Sequence, residues 1–173
     1  MLDDCLIRVL TEDDLPMLLA WRNHPDVRRF MFTQHEISLE EHRNWFAKVS
    51  LDSTICIFIV EEEKNAIGFV QFSQVSKGGI ADWGFYARPN SPKGTGRKIG
   101  VTALNHAFGQ LKVHKVCGKA VGINQASISF HQHLGFVQEG LLRDQQRING
   151  AYQNLHCFGL LAKEWQSEKF IQE

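Results

Sequence analysis

The chain has 173 residues and a formal net charge of zero, because 19 Lys and Arg balance 19 Asp and Glu. This length predicts a single domain over 1–173. The neutral balance excludes the broad basic surface that duplex nucleic acid or an anionic membrane would require. With 43% hydrophobic and 22% charged residues, the composition is typical of a folded domain. We therefore expect no nucleic-acid or membrane partner, and any anionic ligand must be bound by local donors.

The sequence contains no targeting or membrane signal of a recognisable kind. No stretch approaches the ~20 apolar residues of a membrane span, and the start, Met1–Asp4, is acidic where a secretory signal would be basic. Both features predict a cytoplasmic protein. The four cysteines are widely spaced without a CxxC pair, which favours reduced thiols in the core over disulfides or a zinc site. They are Cys5, Cys56, Cys117 and Cys157.

The first half of the chain predicts a strand, two helices and then three strands. The run 6–10 is β-prone, and Thr11 with the acids after it can cap a helix that carries apolar residues at helical spacing. Ser38 and Glu41 have the spacing of a capping box for a second helix. Three β-rich runs follow, separated by breaks short enough for an antiparallel meander: 55–61, 67–75 and 80–86.

The second half predicts two further helices and three further strands. A glycine loop at 93–98 opens the first helix, and the run 115–121 is β-prone. Asn124 can cap a helix that continues through His133. The hairpin turn Asn149-Gly150 separates two long β-runs, 137–148 and 151–161. The order of elements predicts an α/β fold with a mixed, mostly antiparallel sheet flanked by helices.

The glycine loop has the chemistry of a phosphate site. A Gly-x-Gly loop entering a helix directs backbone N–H groups and the positive end of the helix dipole to one point, and three basic residues lie beside it. It is not a P-loop, since the Gly-Lys-Ser/Thr ending is missing, and Gly100 follows Gly96 by four positions rather than the three of a dinucleotide fingerprint. The residues leave two alternatives: phosphate binding, or a simple turn with Gly100 permitting close helix packing.

Five short motifs occur in a fixed order from this loop onward. They are 93–98 (KGTGRK), 112–115 (KVHK), 124–127 (NQAS), 134–136 (LGF) and 139–144 (EGLLRD). Together they resemble the GNAT superfamily of N-acetyltransferases, over nearly the whole chain. The resemblance implies that the loop binds the pyrophosphate of acetyl-coenzyme A (acetyl-CoA), that the pantetheine lies between two splayed central parallel strands, and that an amine attacks the thioester directly.

The same resemblance implies which residues contact the co-substrate. The two parallel strands would end near Phe85-Tyr86 and near 121–123. The implied acetyl-CoA-binding residues are Phe85, Tyr86, Lys93, Gly94, Thr95, Gly96, Arg97, Lys98, Asn124 and Ser127. For Asn124 a helix cap is an equally good interpretation and is compatible with that role.

The N-terminal third points to a particular acceptor. The segments 21–25, 37–42 and 45–46 resemble the nucleotide-sugar acetyltransferases of pseudaminic acid biosynthesis, the bacterial route to flagellin glycosylation. Those enzymes acetylate the C4 amine of a UDP-linked 4-amino-4,6-dideoxy sugar. The resemblance implies that the nucleotide sugar is bound by Arg22, Asn23 and His42. The residues alone leave open a solvated helix end for Arg22 and an exposed helical position for His42.

Two residues are candidates for proton transfer, which direct acyl transfer to an amine requires. The superfamily usually places a tyrosine acid in the helix after the fifth strand, and counting from Asn124 puts His131 there. An imidazole with an ordinary pKa of ~6.5 could protonate the thiolate; alternatively His131 is a packing residue and water supplies the proton. Asp82, a carboxylate in an apolar strand, is the candidate general base, unless it faces solvent. His133 points away from His131, so no metal site is expected.

Two rival functions stay open on sequence alone. One is acetylation of a protein N-terminus, as in the ribosomal-protein branch of the superfamily, which shares the glycine-loop and LGF motifs. The other is a non-catalytic acyl-CoA-binding module, which the absence of the usual tyrosine at position 131 favours. The oligomeric state is also open, with a homodimer as one alternative.

Overall fold

The structure of the protein, a computed structural model, describes residues 5–166, so the acidic start Met1–Asp4 lies outside the described residues. The helices and strands are β1 (Cys5–Val9), α1 (Leu15–Asn23), α2 (Pro25–Arg28), α3 (Leu39–Ser50), β2 (Cys56–Glu62), β3 (Asn65–Ser73), β4 (Ile80–Ala87), α4 (Thr95–Gly109), β5 (Lys115–Val121), α5 (Gln125–His133), β6 (Val137–Ile148) and β7 (Ala151–Leu161). The predicted elements are confirmed, and the short helix α2 is an addition. None of the helices in this part of the chain has the length and apolar character needed to span a bilayer.

The described strands form one seven-stranded sheet in the order β1-β2-β3-β4-β5-β7-β6. All neighbours are antiparallel except β4 and β5, which run parallel and pair from Ile80↔Lys115 to Asp82↔Cys117. Beyond that pair, the described residues 83–87 and 118–121 do not pair with each other. The two central strands therefore splay apart, which confirms the expected mixed sheet and opens a gap in its middle.

Local side-chain contacts fix the helix starts and the hairpin where the sequence predicted them. Ser38 Oγ accepts a hydrogen bond from the Glu41 N–H at 3.1 Å, and Glu41 Oε2 accepts one from the Ser38 N–H at 2.9 Å. Asn124 Oδ1 accepts a bond from the N–H of Ser127 at 3.1 Å. Asn149 and Gly150 both have positive φ, 49° and 82°, as a two-residue hairpin turn requires.

An apolar core lies on each face of the sheet, because strand side chains alternate between faces. Helices α4 and α5 cover one core, which includes Phe72, Ile99 and Phe158. Helices α1 and α3 cover the other, which includes Leu18 and Trp21. Trp21 is buried, whereas Trp45 is only half-buried.

The cysteines are free, as the sequence predicts, but they are not core residues. All four keep partial exposure in the strands that carry them: Cys5, Cys56, Cys117 and Cys157. The expectation of fully buried core thiols is therefore wrong, although Cys5 and Cys56 pack against the core that α4 and α5 cover. Burial raises the pKa of the Cys117 thiol, which lies at the last parallel pair between β4 and β5.

Candidate active site

The gap between β4 and β5 leads into a cavity of about 1360 Å³ bounded by the N-terminal helices, the sheet and the starts of α4 and α5. Its wall brings together most of the residues that the sequence singled out: Arg22, His42, Asp82, Phe85, Tyr86, Thr95, Gly96, Asn124, Ser127 and His131. Other predicted site residues lie outside this wall, namely Asn23, Lys93, Gly94, Arg97 and Lys98. One continuous site thus reaches from the glycine loop to helices α1 and α3.

The glycine loop is shaped to bind an anion through its backbone. Gly94 is the N-cap of α4 with φ of 95°, a conformation that side chains disfavour. Thr95 turns inward, since both its N–H and its hydroxyl donate to the Pro92 carbonyl, at 3.2 and 2.9 Å. The first-turn N–H groups of a helix have no acceptor within the helix, and the dipole of this 15-residue helix adds positive potential. The loop therefore fits a phosphate group.

One of the three basic side chains of the loop is already committed elsewhere. The Lys98 ammonium forms an ion pair with the Glu62 carboxylate on β2. The expectation that Lys98 contributes its charge to a bound pyrophosphate stays a prediction, and it requires the ammonium to leave or share this ion pair with Glu62. Gly100 has the packing role that the sequence left open: a Cβ there would lie 2.6 Å from the Phe130 ring, so α4 and α5 pack closely at this point.

His131 is buried, with 1% of its surface exposed, and both of its ring nitrogens are engaged. Nδ1 lies 2.7 Å from the Ser127 carbonyl oxygen, and Nε2 lies 3.1 Å from Nε1 of Trp83. An indole nitrogen only donates, so Nε2 is the acceptor and the ring proton lies on Nδ1, bonded to Ser127. Burial lowers the pKa of His131, although the Ser127 bond opposes the shift. The ring is therefore neutral and directs no proton into the cavity, which corrects the expectation of a general acid.

Trp83 and His131 together form the floor of the gap between β4 and β5. The His131 ring stacks on Phe158 with centroids 4.8 Å apart. Gly118 on β5 faces the pair, and a Cβ there would clash with His131 Nε2 and lie 2.7 Å from Trp83 Nε1. Sequence reasoning missed Trp83. The only available signal was an aromatic residue in the strand that ends at the gap.

The end of the cavity formed by α1 and α3, called here the helical end, contains two unpartnered polar atoms. Arg22 Nη1 and His42 Nε2 are buried and have no hydrogen-bond partner among the described residues. Arg22 uses Nη2 to donate to the Thr33 carbonyl at 3.3 Å. His42 is 5% exposed and stacks on Trp45 at 5.2 Å, so the alternative of an exposed position is wrong. Buried polar groups are rarely left unpaired, so these two atoms are available to water or to a ligand that enters the cavity.

The electrostatics of the helical end agree with this interpretation. Burial lowers the pKa of Arg22, and the nearby Arg28 charge adds to the shift. Burial, followed by the Arg22 charge, lowers the pKa of His42, although a hydrogen bond to the Leu15 backbone opposes the shift. Burial also raises the pKa of Tyr86, which faces Arg22 from β4. A desolvated cation beside a neutral imidazole and a neutral phenol favours an anionic or carbonyl-rich ligand.

Asn23 does not face the cavity. Its Nδ2 donates to the Ile37 carbonyl and its Oδ1 accepts from the Ile37 N–H, both at 2.8 Å. These two bonds clamp the segment 24–37, which supplies Phe30 to the cavity wall. Asn23 therefore positions the wall, which corrects the expectation that it binds substrate.

Asp82 lies in the cavity wall at the point where the parallel pairing ends. Its Oδ2 accepts a hydrogen bond from Gln74 Nε2 at 3.3 Å. In the strand it shares a face with Gly84 and Tyr86, because side chains alternate.

The described residues contain no group of three or more His, Cys, Asp or Glu side chains arranged to hold a metal ion.

Comparison with known proteins identifies the family. The profile of the acetyltransferase (GNAT) domain matches residues 4–137. The chain belongs to the GNAT acetyltransferase family. The seven-stranded mixed sheet with its flanking helices is the GNAT fold, as the sequence motifs led us to expect.

Two curated relatives and one solved structure show the similarity of this GNAT chain to known acetyltransferases. Acetyltransferase PseH from Campylobacter jejuni is 30% identical over 127 residues, which cover 73% of this chain and 79% of PseH. Spermidine N(1)-acetyltransferase from Vibrio cholerae is 26% identical over 162 residues, which cover 92% and 94%. The crystal structure of spermidine N-acetyltransferase from Vibrio cholerae in complex with CoA and spermine matches with a TM-score of 0.86 and 25% identity, covering 94% and 98%.

This GNAT enzyme is an acetyl-CoA-dependent N-acetyltransferase, and its residues fit that co-substrate. The start of α4 offers N–H groups for a pyrophosphate. The facing edges of β4 and β5, unpaired beyond Asp82 and Cys117, offer backbone groups to the amides of pantetheine. Acetyl-CoA supplies the activated acetyl group when bound. Membership of this enzyme family also argues against the alternative of a non-catalytic acyl-CoA-binding module.

Phe85 and Tyr86 lie on this unpaired edge of β4, but their side chains point to opposite faces of the sheet. Phe85 packs on Phe130 at 4.7 Å, on the α5 side. Tyr86 packs on Phe69 at 5.1 Å, on the side of the helical end. If pantetheine contacts both residues, it therefore does so through their backbone groups. Of the two side chains, only that of Phe85 is directed toward α5.

Proposed function

We propose that this enzyme transfers acetyl from acetyl-CoA to the amine of a UDP-linked 4-amino-4,6-dideoxy sugar. The reaction would belong to pseudaminic acid biosynthesis, which serves flagellin glycosylation, in the bacterial cytoplasm. The observation that carries the proposal is the buried, unpartnered pair Arg22 Nη1 and His42 Nε2. The similarity to PseH of Campylobacter jejuni supports the same acceptor.

A nucleotide sugar suits the helical end because it carries a diphosphate and a uracil with two carbonyls. A guanidinium binds phosphate or carbonyl oxygens with directed donors, and its interaction with an anion is strongest where water is excluded. A ladder of ring contacts runs from α3 to β4, with centroid distances of 5.2, 6.0 and 5.1 Å along His42, Trp45, Phe69 and Tyr86. Such a ladder offers an apolar surface for a base or a sugar ring.

Spermidine is the second candidate acceptor, because the Vibrio cholerae spermidine enzyme matches this chain over most of its length. The charges favour it less. Arg22 is half-buried and has no ion-pair partner among the described residues, so it repels a polycation. Like charges brought together in a complex cost several kcal/mol. Two acids in the wall are already partnered: Asp26 lies 3.8 Å from Arg29, and Glu41 accepts from the Ser38 N–H and contacts His35.

We assign the two proton transfers of the reaction from the positions of Asp82 and His131. Asp82 takes the proton that the acceptor amine must lose, since its carboxylate lies in the wall at the mouth of the gap. The amine nitrogen forms its bond to the acetyl carbon as the carbon–sulfur bond breaks. Water protonates the departing thiolate, because the His131 proton is bonded to Ser127.

The test compares Arg22→Ala with Arg43→Ala, an exposed arginine on α3 that serves as the control. Losing a charged hydrogen bond to the acceptor should raise KM for the UDP-amino sugar about 10- to 100-fold. KM for acetyl-CoA should not change. Thermal stability should change little, because the lost hydrogen bond to the Thr33 carbonyl is offset by removal of the desolvation cost of this half-buried cation. An equal rise in both KM values, or a rise in neither, would contradict the assignment.

A further inference from the structure

Gly84 is an unusual residue for its place in the fold. It lies in β4, the fourth of seven strands in the described sheet, yet it is exposed. A Cβ built on Gly84 would meet no atom of residues 5–166 within 4 Å. Glycine weakens a strand and often marks a place where a ligand approaches the backbone closely. Because Gly84 is also part of the cavity wall, the empty space above it belongs to the site.

The neighbours of Gly84 define the shape of that space. Residues two apart in a strand are separated by ~6.7 Å, so Asp82 and Tyr86 stand roughly 13 Å apart. On this face of the strand only Gly84, which has no side chain, lies between them. Gln71 of β3 lies directly opposite Gly84 and also lines the cavity. On the other side, pairing with β5 has ended at Cys117. The gap is bounded by a carboxylate, an amide and a phenol.

The two ends of this gap have different partners. Tyr86 adjoins Arg22 at the helical end, where the nucleotide portion of the acceptor is proposed to bind. Asp82 is the proposed base. A group that extends from the helical end toward Asp82 must therefore pass over Gly84, and that group would be the one that carries the reacting amine.

We propose that Gly84 determines acceptor specificity by leaving room for the amine-bearing sugar ring between Asp82 and Tyr86. The identity of that ring rests on the proposed function; the steric role of Gly84 does not. Any side chain at this position would project into the space that the ring occupies.

The test uses Gly84→Ala and Gly84→Val. The φ of Gly84 lies outside the left-handed region, so neither substitution strains the backbone, and valine is a good strand former. Gly140→Ala on β6 is the matched control, because a Cβ there makes an ordinary 4.0 Å contact with Cys157 and lies outside the cavity wall. Each variant is measured for its melting temperature, its acetyl-CoA Kd by calorimetry, and its KM for the UDP-amino sugar.

Overpacking the site should raise the acceptor KM about 10-fold for Gly84→Ala and more than about 100-fold for Gly84→Val. The melting temperature and the acetyl-CoA Kd should stay at wild-type values, and Gly140→Ala should behave as wild type throughout. An unchanged acceptor KM in Gly84→Val would overturn the proposal, as would an equal loss of acetyl-CoA affinity.

The experiment separates this proposal from the proposed function. If the wild-type enzyme acetylates a different amine and not the UDP-amino sugar, the proposed function fails. The Gly84 variants are then measured with that amine. A raised KM would still support Gly84 as the determinant, and an unchanged KM would overturn it.

Discussion

Replacing Trp83 with phenylalanine removes the indole N–H that donates a hydrogen bond to His131 Nε2. The distance from Trp83 Nε1 to His131 Nε2 is 3.1 Å. An aromatic ring remains to pack against Phe85 and Phe136, whose centroids lie 4.7 and 5.3 Å away. His131 is 1% exposed, so its acceptor would be left without a partner, at a cost of about 1–3 kcal/mol. For a chain of this size, each kcal/mol lowers the melting temperature by about 2–4 °C. We therefore expect a loss of roughly 2–12 °C.

The reciprocal change, His131→Leu, leaves the Trp83 N–H unpaired and should cost a similar amount. In the double variant neither polar group remains, so the two costs should not add. The predicted coupling free energy is about 1–2 kcal/mol. Urea unfolding followed by far-UV circular dichroism at pH 7.5 gives the three free energies of unfolding without relying on tryptophan fluorescence.

A second double-mutant cycle, which serves as the control, pairs Trp83→Phe with His133→Leu. His133 is exposed, and its Nδ1 bonds locally to the Ser129 carbonyl at 2.6 Å, so this cycle should be additive. Additivity within about 0.5 kcal/mol in the Trp83–His131 cycle itself would refute the hydrogen bond and the tautomer derived from it.

Two further predictions concern pH and the glycine loop. Burial lowers the pKa of His131 in the folded state, so the unfolded chain binds more protons below pH ~6.5 and the free energy of unfolding should fall as the pH drops from 7 to 5. His131→Leu should flatten that slope by up to about 1.4 kcal/mol per pH unit, and an unchanged slope would show that the folded imidazole titrates normally. Gly96→Val should fold, since its Cβ would make ordinary contact with Phe130 at 3.7 Å, yet bind acetyl-CoA about 10-fold or more weakly in calorimetry. Wild-type affinity in a folded Gly96→Val variant would place the pyrophosphate elsewhere.

The features that the sequence predicted correctly depend on residues close together in the chain. The Ser38–Glu41 box and the Asn124 cap each join residues three positions apart. The glycine loop likewise combines a turn and a helix start within a few positions, and α4 begins there at Thr95. Such signals follow from backbone geometry, so they are visible before the tertiary structure is known.

The features that the sequence could not give depend on distant partners. Lys98 meets Glu62, which is 36 positions away, and Trp83 meets His131, which is 48 positions away. Counting along α5 placed His131 where a tyrosine is usual, but it could not show that this ring lies within reach of an indole donor. Gly84 carried a weak signal, since a glycine inside a strand pattern suggests close approach of a ligand.

The most direct test of the acceptor assignment is the ratio of kcat/KM for the UDP-linked 4-amino sugar to kcat/KM for spermidine. Both are measured by thiol release from acetyl-CoA with the wild-type enzyme and with Arg22→Ala. An unpaired cation at the helical end predicts a wild-type ratio of at least about 100 in favour of the nucleotide sugar, and a ratio reduced toward one in Arg22→Ala. Equal or faster turnover of spermidine by the wild-type enzyme would contradict the account.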